Sequence, residues 1–197
     1  MAKKPAARPA RMSRTERKAH ETKMALRDKL ARAARYPRGQ CWISRGWVEA
    51  GIASVTISRR RVDDGSLVAV MFLVDLGCLG VKDVALHNNA RPATVTELVE
   101  SAPDGAEPIP FDDAARLIET AVAWAAHCGF APVPEFEFAR LIYADADPNA
   151  STLEVECGKN GRPFYSSGPN DDVGLIVGVL EERFGPDGFE LVHIEVG

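Results

Sequence analysis

Leu67-Val-Ala-Val-Met-Phe-Leu-Val-Asp-Leu76 decides the fold. A nearly continuous apolar run of this length fits a central strand buried on both faces, because a strand with one wet face alternates instead. Immediately upstream, Val62-Asp-Asp-Gly-Ser66 is a turn with Gly at the position that tolerates positive φ, and Ala53 to Arg60 is β-rich. Cys41 to Trp47 carries a similar pattern. These segments predict a meander of two or three antiparallel strands.

Downstream, Gly77-Cys-Leu-Gly80-Val-Lys-Asp83 leaves the strand through two glycines, and the stretch beyond reads as helix and loop. Thr94 to Ser101 predicts a short helix, and Ala102 to Pro110 a Pro/Gly/acid loop. Ala114, Leu117, Ile118, Ala121, Val122, Ala125 and Cys128 recur at helical spacing, and Gly129 stands where a left-handed C-terminal cap belongs. Pro132-Val-Pro134 introduces another helix with Phe136, Ala139, Ile142 and Tyr143 on one side, antiparallel to the first. The last unit reads strand, turn, strand, helix, strand. Leu153–Cys157 and Pro163–Ser166 flank the hairpin turn Gly158-Lys-Asn-Gly161. Asn170 or one of its neighbours caps a helix with acids in its first turn, whose Val173, Ile176, Val177, Leu180 and Phe184 face inward, Gly185 stops it, and Phe189–Val196 alternates. The expectation is an α+β fold: antiparallel strands in two groups with packed helices, preceded by a basic, partly disordered and helical N-terminal arm.

Charge separates the arm from the body. Residues 1–39 hold 13 Lys/Arg against 3 Asp/Glu, and residues 40–197 hold 11 against 25, so +10 and −14 combine to the net −4. The division expected is a basic arm over 1–39 and a single α+β domain over 40–197. Residues 1–12 have almost nothing to bury, a composition that cannot offset its ordering entropy. Ser13 with Glu16 forms a capping box, and the helix it starts runs to about Tyr36, where Pro37 and Gly39 end it. Ala19, Leu26, Leu30 and Ala33 make a thin apolar stripe, enough for marginal docking or for a helix that stands free until a partner arrives. No run approaches the roughly 18 apolar residues of a membrane helix. The start lacks a secretory h-region. A cytoplasmic protein with no membrane association is expected, its four scattered cysteines reduced.

Candidate chemistry is sparse. Cys78 lies in a glycine-bearing loop with Asp83 and His87 close in sequence, and a Cys–His pair is the usual source of a thiolate; the plainer reading is a small hydrophobe in a tight turn. Asp75 ends an apolar strand and must find a partner. Lys82, Arg140 or Lys159 could supply one, and a structural ion pair is preferred to a catalytic acid. Zinc ligands need short paired spacings, and the only adjacent pair, His127-Cys128, diverges on a helix, so no metal is assigned. Carboxylate pairs such as Asp112-Asp113 and Asp171-Asp172 have local explanations as turns and helix starts. Neither Gly77/Gly80 nor Gly158/Gly161 completes a phosphate loop, and no cofactor is expected.

The basic arm is the strongest functional pointer. Lys3, Lys4, Arg8, Arg11, Arg14, Arg17, Lys18, Lys23 and Arg27 would attract RNA, DNA or a ribonucleoprotein through salt-sensitive phosphate contacts. Without interleaved aromatics that contact is non-specific. Arg59-Arg60-Arg61 forms a second small basic spot, which extends the footprint or protects a strand edge. The leading expectation is thus a non-catalytic cytosolic binding protein. Two alternatives stay open: an enzyme using the Cys78/Asp75/Lys82/Asp83 loop, and an adaptor or immunity-type protein whose acidic body engages a protein partner.

The segments Val70-Met-Phe-Leu-Val-Asp-Leu-Gly-Cys-Leu-Gly-Val-Lys-Asp83 and Cys157-Gly-Lys-Asn-Gly-Arg-Pro-Phe-Tyr-Ser-Ser-Gly-Pro-Asn-Asp-Asp172 resemble an uncharacterised bacterial protein family of unknown function. The likeness spans much of residues 40–197. It implies one recurring cytosolic module and carries over no catalytic residue.

Overall fold

The structure is a computed structural model, and it describes residues 14–102 and 105–192. The long apolar run is strand β3 (Leu67–Asp75), and it pairs antiparallel with β2 (Ile52–Arg60) through the expected turn, where Gly65 has φ +70°. On its other side lies β4 (Gly80–Ala90), and beyond β2 come β1 (Cys41–Ser44) and β5 (Ala106–Ile109). The sheet runs β4-β3-β2-β1-β5, antiparallel throughout.

Strand alternation divides its faces. Ala53, Val55 and Ile57 of β2 and Val68, Val70, Phe72 and Val74 of β3 point into the main core. There they meet Leu117, Ile118 and Ala121 of helix α4 (Phe111–Cys128), and Phe136 and Ala139 of the single helical turn that includes Phe136–Ala139. The opposite face is covered at one corner by the helix Pro92–Glu100, whose Val95 packs on Leu67 and Ala69. Gly129 caps α4 at φ +98°, as its position in the sequence predicts.

The N-terminal helix α1 (Arg14–Ala33) docks by its last turns, where Leu30 and Ala33 are fully buried in the main core. Burying one Leu is worth about 1.5–3 kcal/mol, sufficient to fix this end of the helix to the body. Residues 1–13 lie outside the described residues, so the expectation of disorder over 1–12 falls there, as does the capping residue Ser13.

A second, smaller core forms from Cys78, Leu79, Cys128, Tyr165, Ile176 and Leu180. It joins the turn after β3 and the end of α4 to β6 (Phe164–Ser166) and α6 (Val173–Phe184), after which comes β7 (Glu190–Val192). Asp172 caps α6 by accepting the Leu175 N–H at 3.1 Å. The α+β class holds, with the second strand group corrected: β6 and β7 run parallel, not antiparallel. The α6 crossover supplies the dozen or more residues that a parallel connection requires.

Other departures have physical reasons. The stretch expected to be helix and loop is the eleven-residue strand β4. Its Val81, Val84 and Leu86 face the core while Asp83, Ala85 and Asn89 are exposed, as suits an edge strand. Within the expected Ala102–Pro110 loop, β5 pairs with β1 by backbone bonds, and Pro108 is tolerated because this too is an edge. Cys41–Trp47 is a strand only to Ser44, after which Trp47–Ala50 is helical. Leu153–Cys157 is no strand; its alternate residues Leu153, Val155 and Cys157 pack against the main core without a ladder. The Gly158–Gly161 turn does form, with Asn160 at φ +52° and Gly161 at φ +72°, but its flanks pair only at Lys159 and Arg162.

One side chain ties these elements together. Arg59 is buried at 1% exposure. Its Nε donates to the Ile142 carbonyl at 2.8 Å, its Nη1 to the Tyr36 carbonyl at 3.1 Å, and its Nη2 to the Asp145 carboxylate, while Phe111 lies 4.6 Å from the guanidinium. Its ion partner Asp145 is half-exposed, so the loss on removing Arg59 falls on the Ile142 and Tyr36 carbonyls, and a buried acceptor left without its donor costs about 1–3 kcal/mol. Arg59→Ala is therefore expected to lower unfolding free energy by about 2–4 kcal/mol in urea titrations, far more than Arg60→Ala, since Arg60 is exposed.

Candidate functional site

The turn that follows β3 is shaped by its neighbours. A Cβ on Gly77 would stand 2.2 Å from the Phe164 carbonyl oxygen, so only glycine lets β6 approach, and Gly80 at φ +69° turns the chain into β4. Gly77 O accepts from Phe164 N–H at 3.2 Å and from the Trp124 indole at 2.8 Å. Within this turn Asp75 finds its partners in the backbone: its Oδ1 accepts the N–H groups of Cys78 (2.8 Å) and Leu79 (3.0 Å). Burial raises its pKa nonetheless, against those two N–H groups and the charge of Lys82.

Lys82, expected as a partner for Asp75, forms its ion pair with Asp171 at 2.8 Å. Asp171 also accepts the Gly168 N–H at 2.9 Å and the Tyr165 hydroxyl at 3.3 Å. Burial pushes the Asp171 carboxyl up, but the Lys82 ammonium and these hydrogen bonds outweigh it and hold it below its ordinary value. The arrangement pins the start of α6 to β4. It is a structural latch 89 residues apart in sequence.

Cys78 is sealed at 0% exposure, and burial, followed by the Asp75 charge, drives its thiol far above the normal range. His87 lies opposite Ala69, seven residues along β4 from Gly80. At about 3.3 Å per residue that is about 23 Å, so no Cys–His pair exists. Asp83 is exposed and accepts the adjacent Val84 N–H at 2.7 Å. The structure thus brings Cys78, Asp75 and Lys82 together but leaves Asp83 and His87 outside. Cys128 is likewise buried, whereas the neighbouring His127 stands exposed between the Trp124 and Phe184 rings, at 5.3 and 5.5 Å. Among the described residues no group of three His, Cys, Asp or Glu side chains is placed to hold a metal ion, and no helix is long and apolar enough to cross a membrane.

The basic residues arrange differently. Lys3, Lys4, Arg8 and Arg11 lie outside the described residues; Arg14, Arg17 and Lys18 belong to the first turns of α1. Lys23 reaches Glu137 at 4.0 Å and lies 5.4 Å from the Phe138 ring. Arg27, Lys29, Arg32 and Arg35 are exposed, and none of them makes an ion pair among the described residues.

Arg59-Arg60-Arg61 splits three ways: Arg59 turns inward and Arg60 outward by strand alternation, and Arg61, just past the end of β2, lines a cleft beside α1. Lys29, Arg32 and Tyr36 join Arg61, Val68 and Asn88 around a cavity of about 160 Å³. Sequence reasoning missed this cleft because its halves lie some thirty residues apart and meet only when Leu30 and Ala33 dock. The one available signal was the Arg60-Arg61 doublet.

Comparison with known proteins yields no match to any family model, any curated protein or any solved structure. Function is therefore argued from the geometry alone.

Two outcomes check this assignment. In native protein at neutral pH, Cys78 is expected to resist a thiol reagent until the chain unfolds, with half-buried Cys157 reacting first; rapid labelling of Cys78, read by mass spectrometry, would restore the nucleophile reading. Because the folded-state pKa of Asp171 is depressed, its contribution is present above the ordinary carboxylate value of 3.8 and lost as pH falls through the folded value. The stability gap between native protein and Asp171→Asn should consequently close on acidification, measured by denaturant melts at a series of pH values.

Proposed function

We propose that this protein binds nucleic acid without catalysis, through the cationic face of α1 and the basic segment ahead of it. The observation that carries this reading is the set of exposed cations Arg27, Lys29 and Arg32 on α1 and Arg35 just past its end, none in an ion pair among the described residues, beside Leu30 and Ala33 that anchor this end of the helix in the core. Cations held on a fixed scaffold and without acidic partners keep their charge for a polyanion. An acidic body of −14 gives the molecule an uneven field that favours phosphate on the side of α1. The enzymatic alternative loses its nucleophile with Cys78 sealed.

Anchoring changes how the arm should be removed. Deletion through residue 36 would take Leu30 and Ala33 from the core and the Tyr36 carbonyl from Arg59. Deletion of residues 1–20 ends before both. Binding of short RNA and DNA across a salt series is expected to show a steep log–log slope, about 0.7–0.9 per phosphate contacted. Loss of residues 1–20 together with Arg27→Gln and Arg35→Gln should flatten it by several units. An unchanged slope, or no binding at about 50 mM salt where such contacts are strong, refutes the proposal.

A further inference from the structure

We propose that the cleft between α1 and the adjoining corner of the sheet seats one nucleotide of a single strand, with its phosphate held by Lys29, Arg32 and Arg61 and its base stacked on Tyr36. The inference rests on the nucleic-acid reading above and adds where the strand docks and in which form.

Three observations converge on it. First, three cations from two separate elements line one cavity, and no carboxylate among the described residues lines it, although Asp63 borders Arg61. Second, the Arg61 guanidinium is underused. Its Nε is the sole buried side-chain nitrogen or oxygen among the described residues without a hydrogen bond, although Asp63 Oδ1 lies 3.4 Å away. Its remaining contacts are long, 3.4 Å from Nη1 to Asn89 Oδ1 and 3.5 Å from Nη2 to Asp63 Oδ2. Charge-assisted bonds to a phosphate are shorter, about 2.7–2.9 Å, and about twice as strong as neutral ones. A small turn of the guanidinium toward the cleft would gain them.

Third, Tyr36 presents a half-buried ring whose backbone is already fixed, since its carbonyl accepts from Arg59 and its ring packs against the main core. A platform set in place before binding stacks a base with little ordering cost. Bases within a duplex offer their edges in the grooves and keep their faces against one another, so a ring at the floor of a cleft meets a base face only in an unpaired strand. Asn88, with both a donor and an acceptor, stands beside that position.

The test uses full-length protein and a labelled single-stranded RNA of about twelve nucleotides, followed by fluorescence anisotropy. Tyr36→Leu keeps an apolar side chain without an aromatic face and should weaken single-strand binding at least about five-fold, the low end of one stacked base. Tyr36→Phe should restore it, and binding to duplex of equal length should change little in either variant. Arg61→Gln should weaken binding and flatten the salt slope by about 0.7. Arg162→Gln removes the same charge beside the opposite end of β3, some eight residues or about 26 Å along the strand, and should leave affinity unchanged. A thermal melt confirms that each variant is folded. Should Tyr36→Leu not fold, Arg61→Gln against Arg162→Gln decides alone.

Native affinity retained by Tyr36→Leu and Arg61→Gln would overturn this seat and leave the broader nucleic-acid reading standing. Equal losses on single strand, duplex and heparin would reduce the cleft to plain charge and overturn it as well. Inorganic phosphate or a mononucleotide competing as well as the oligonucleotide would make it a small-anion site in place of a strand seat. No binding by the native chain would remove both readings together.

Discussion

The buried guanidinium of Arg59 is the constraint around which the main layer is assembled. A charge removed from water costs several kcal/mol unless its donors are used, and here every donor direction lands on a different element: the end of α1 through Tyr36, the turn after the Phe136–Ala139 helix through Ile142, and the Asp145 loop. Arg38 repeats the pattern from outside, reaching Asp112 at 3.3 Å and the Asp145 carbonyl at 2.7 Å, with its guanidinium 4.3 Å from the Phe111 ring. Asp145 stays charged between two cations: burial pushes its carboxyl up, but the Arg59 and Arg38 contacts prevail and hold it low. Apolar burial supplies the free energy of the fold, whereas this cluster specifies which loops meet where.

The same cluster helps hold the C-terminal part of α1 to the body. Leu30, Ala33 and the Tyr36 carbonyl are bound inward, while Arg27, Lys29 and Arg32 are exposed. Arg59, Arg60 and Arg61 are three identical residues in a row with three different environments, the first two separated by strand alternation and the third by the end of β2. A run of arginines read as one basic spot is in fact a core residue, a surface residue and a cleft wall.

What was legible in the sequence follows from how local each determinant is. The β2–β3 hairpin could be read because an apolar run and a Gly turn adjoin, and α4 because its apolar period and Gly129 agree. The cap on α6 was equally local. By contrast, β4 presents Asp83, His87 and Asn88 along an edge, and β5 is Ala-Glu-Pro-Ile held by backbone bonds, so neither shows a hydrophobic pattern. The Leu153–Cys157 alternation was real but reflected packing of alternate side chains, which a ladder would also produce. Parallel pairing of β6 with β7 suits their strand–helix–strand order, whereas the Asn160-Gly161 pair signals an antiparallel hairpin whose flanks here meet only at Lys159 and Arg162. At the candidate sites, Asp75 shows its need for partners in the sequence, but those partners are the backbone N–H groups of the turn that follows it and not a charged side chain, and Asp171 reaches Lys82 only through the tertiary fold.

The division of the interior into two cores has its own consequence. The satellite built on Tyr165, Ile176 and Leu180 meets the main sheet across the turn after β3, through the Gly158 N–H to Leu76 O bond at 2.7 Å and the Phe164 N–H to Gly77 O bond at 3.2 Å, with the Lys82–Asp171 pair alongside. Because Cys78, Leu79 and Cys128 of this second core come from the turn after β3 and the end of α4, the C-terminal unit shares its packing with the main body instead of standing apart from it. The same contacts that seat α6 thereby hold the Cys78 and Cys128 thiols out of solvent, so oxidation of either waits on the loss of that packing.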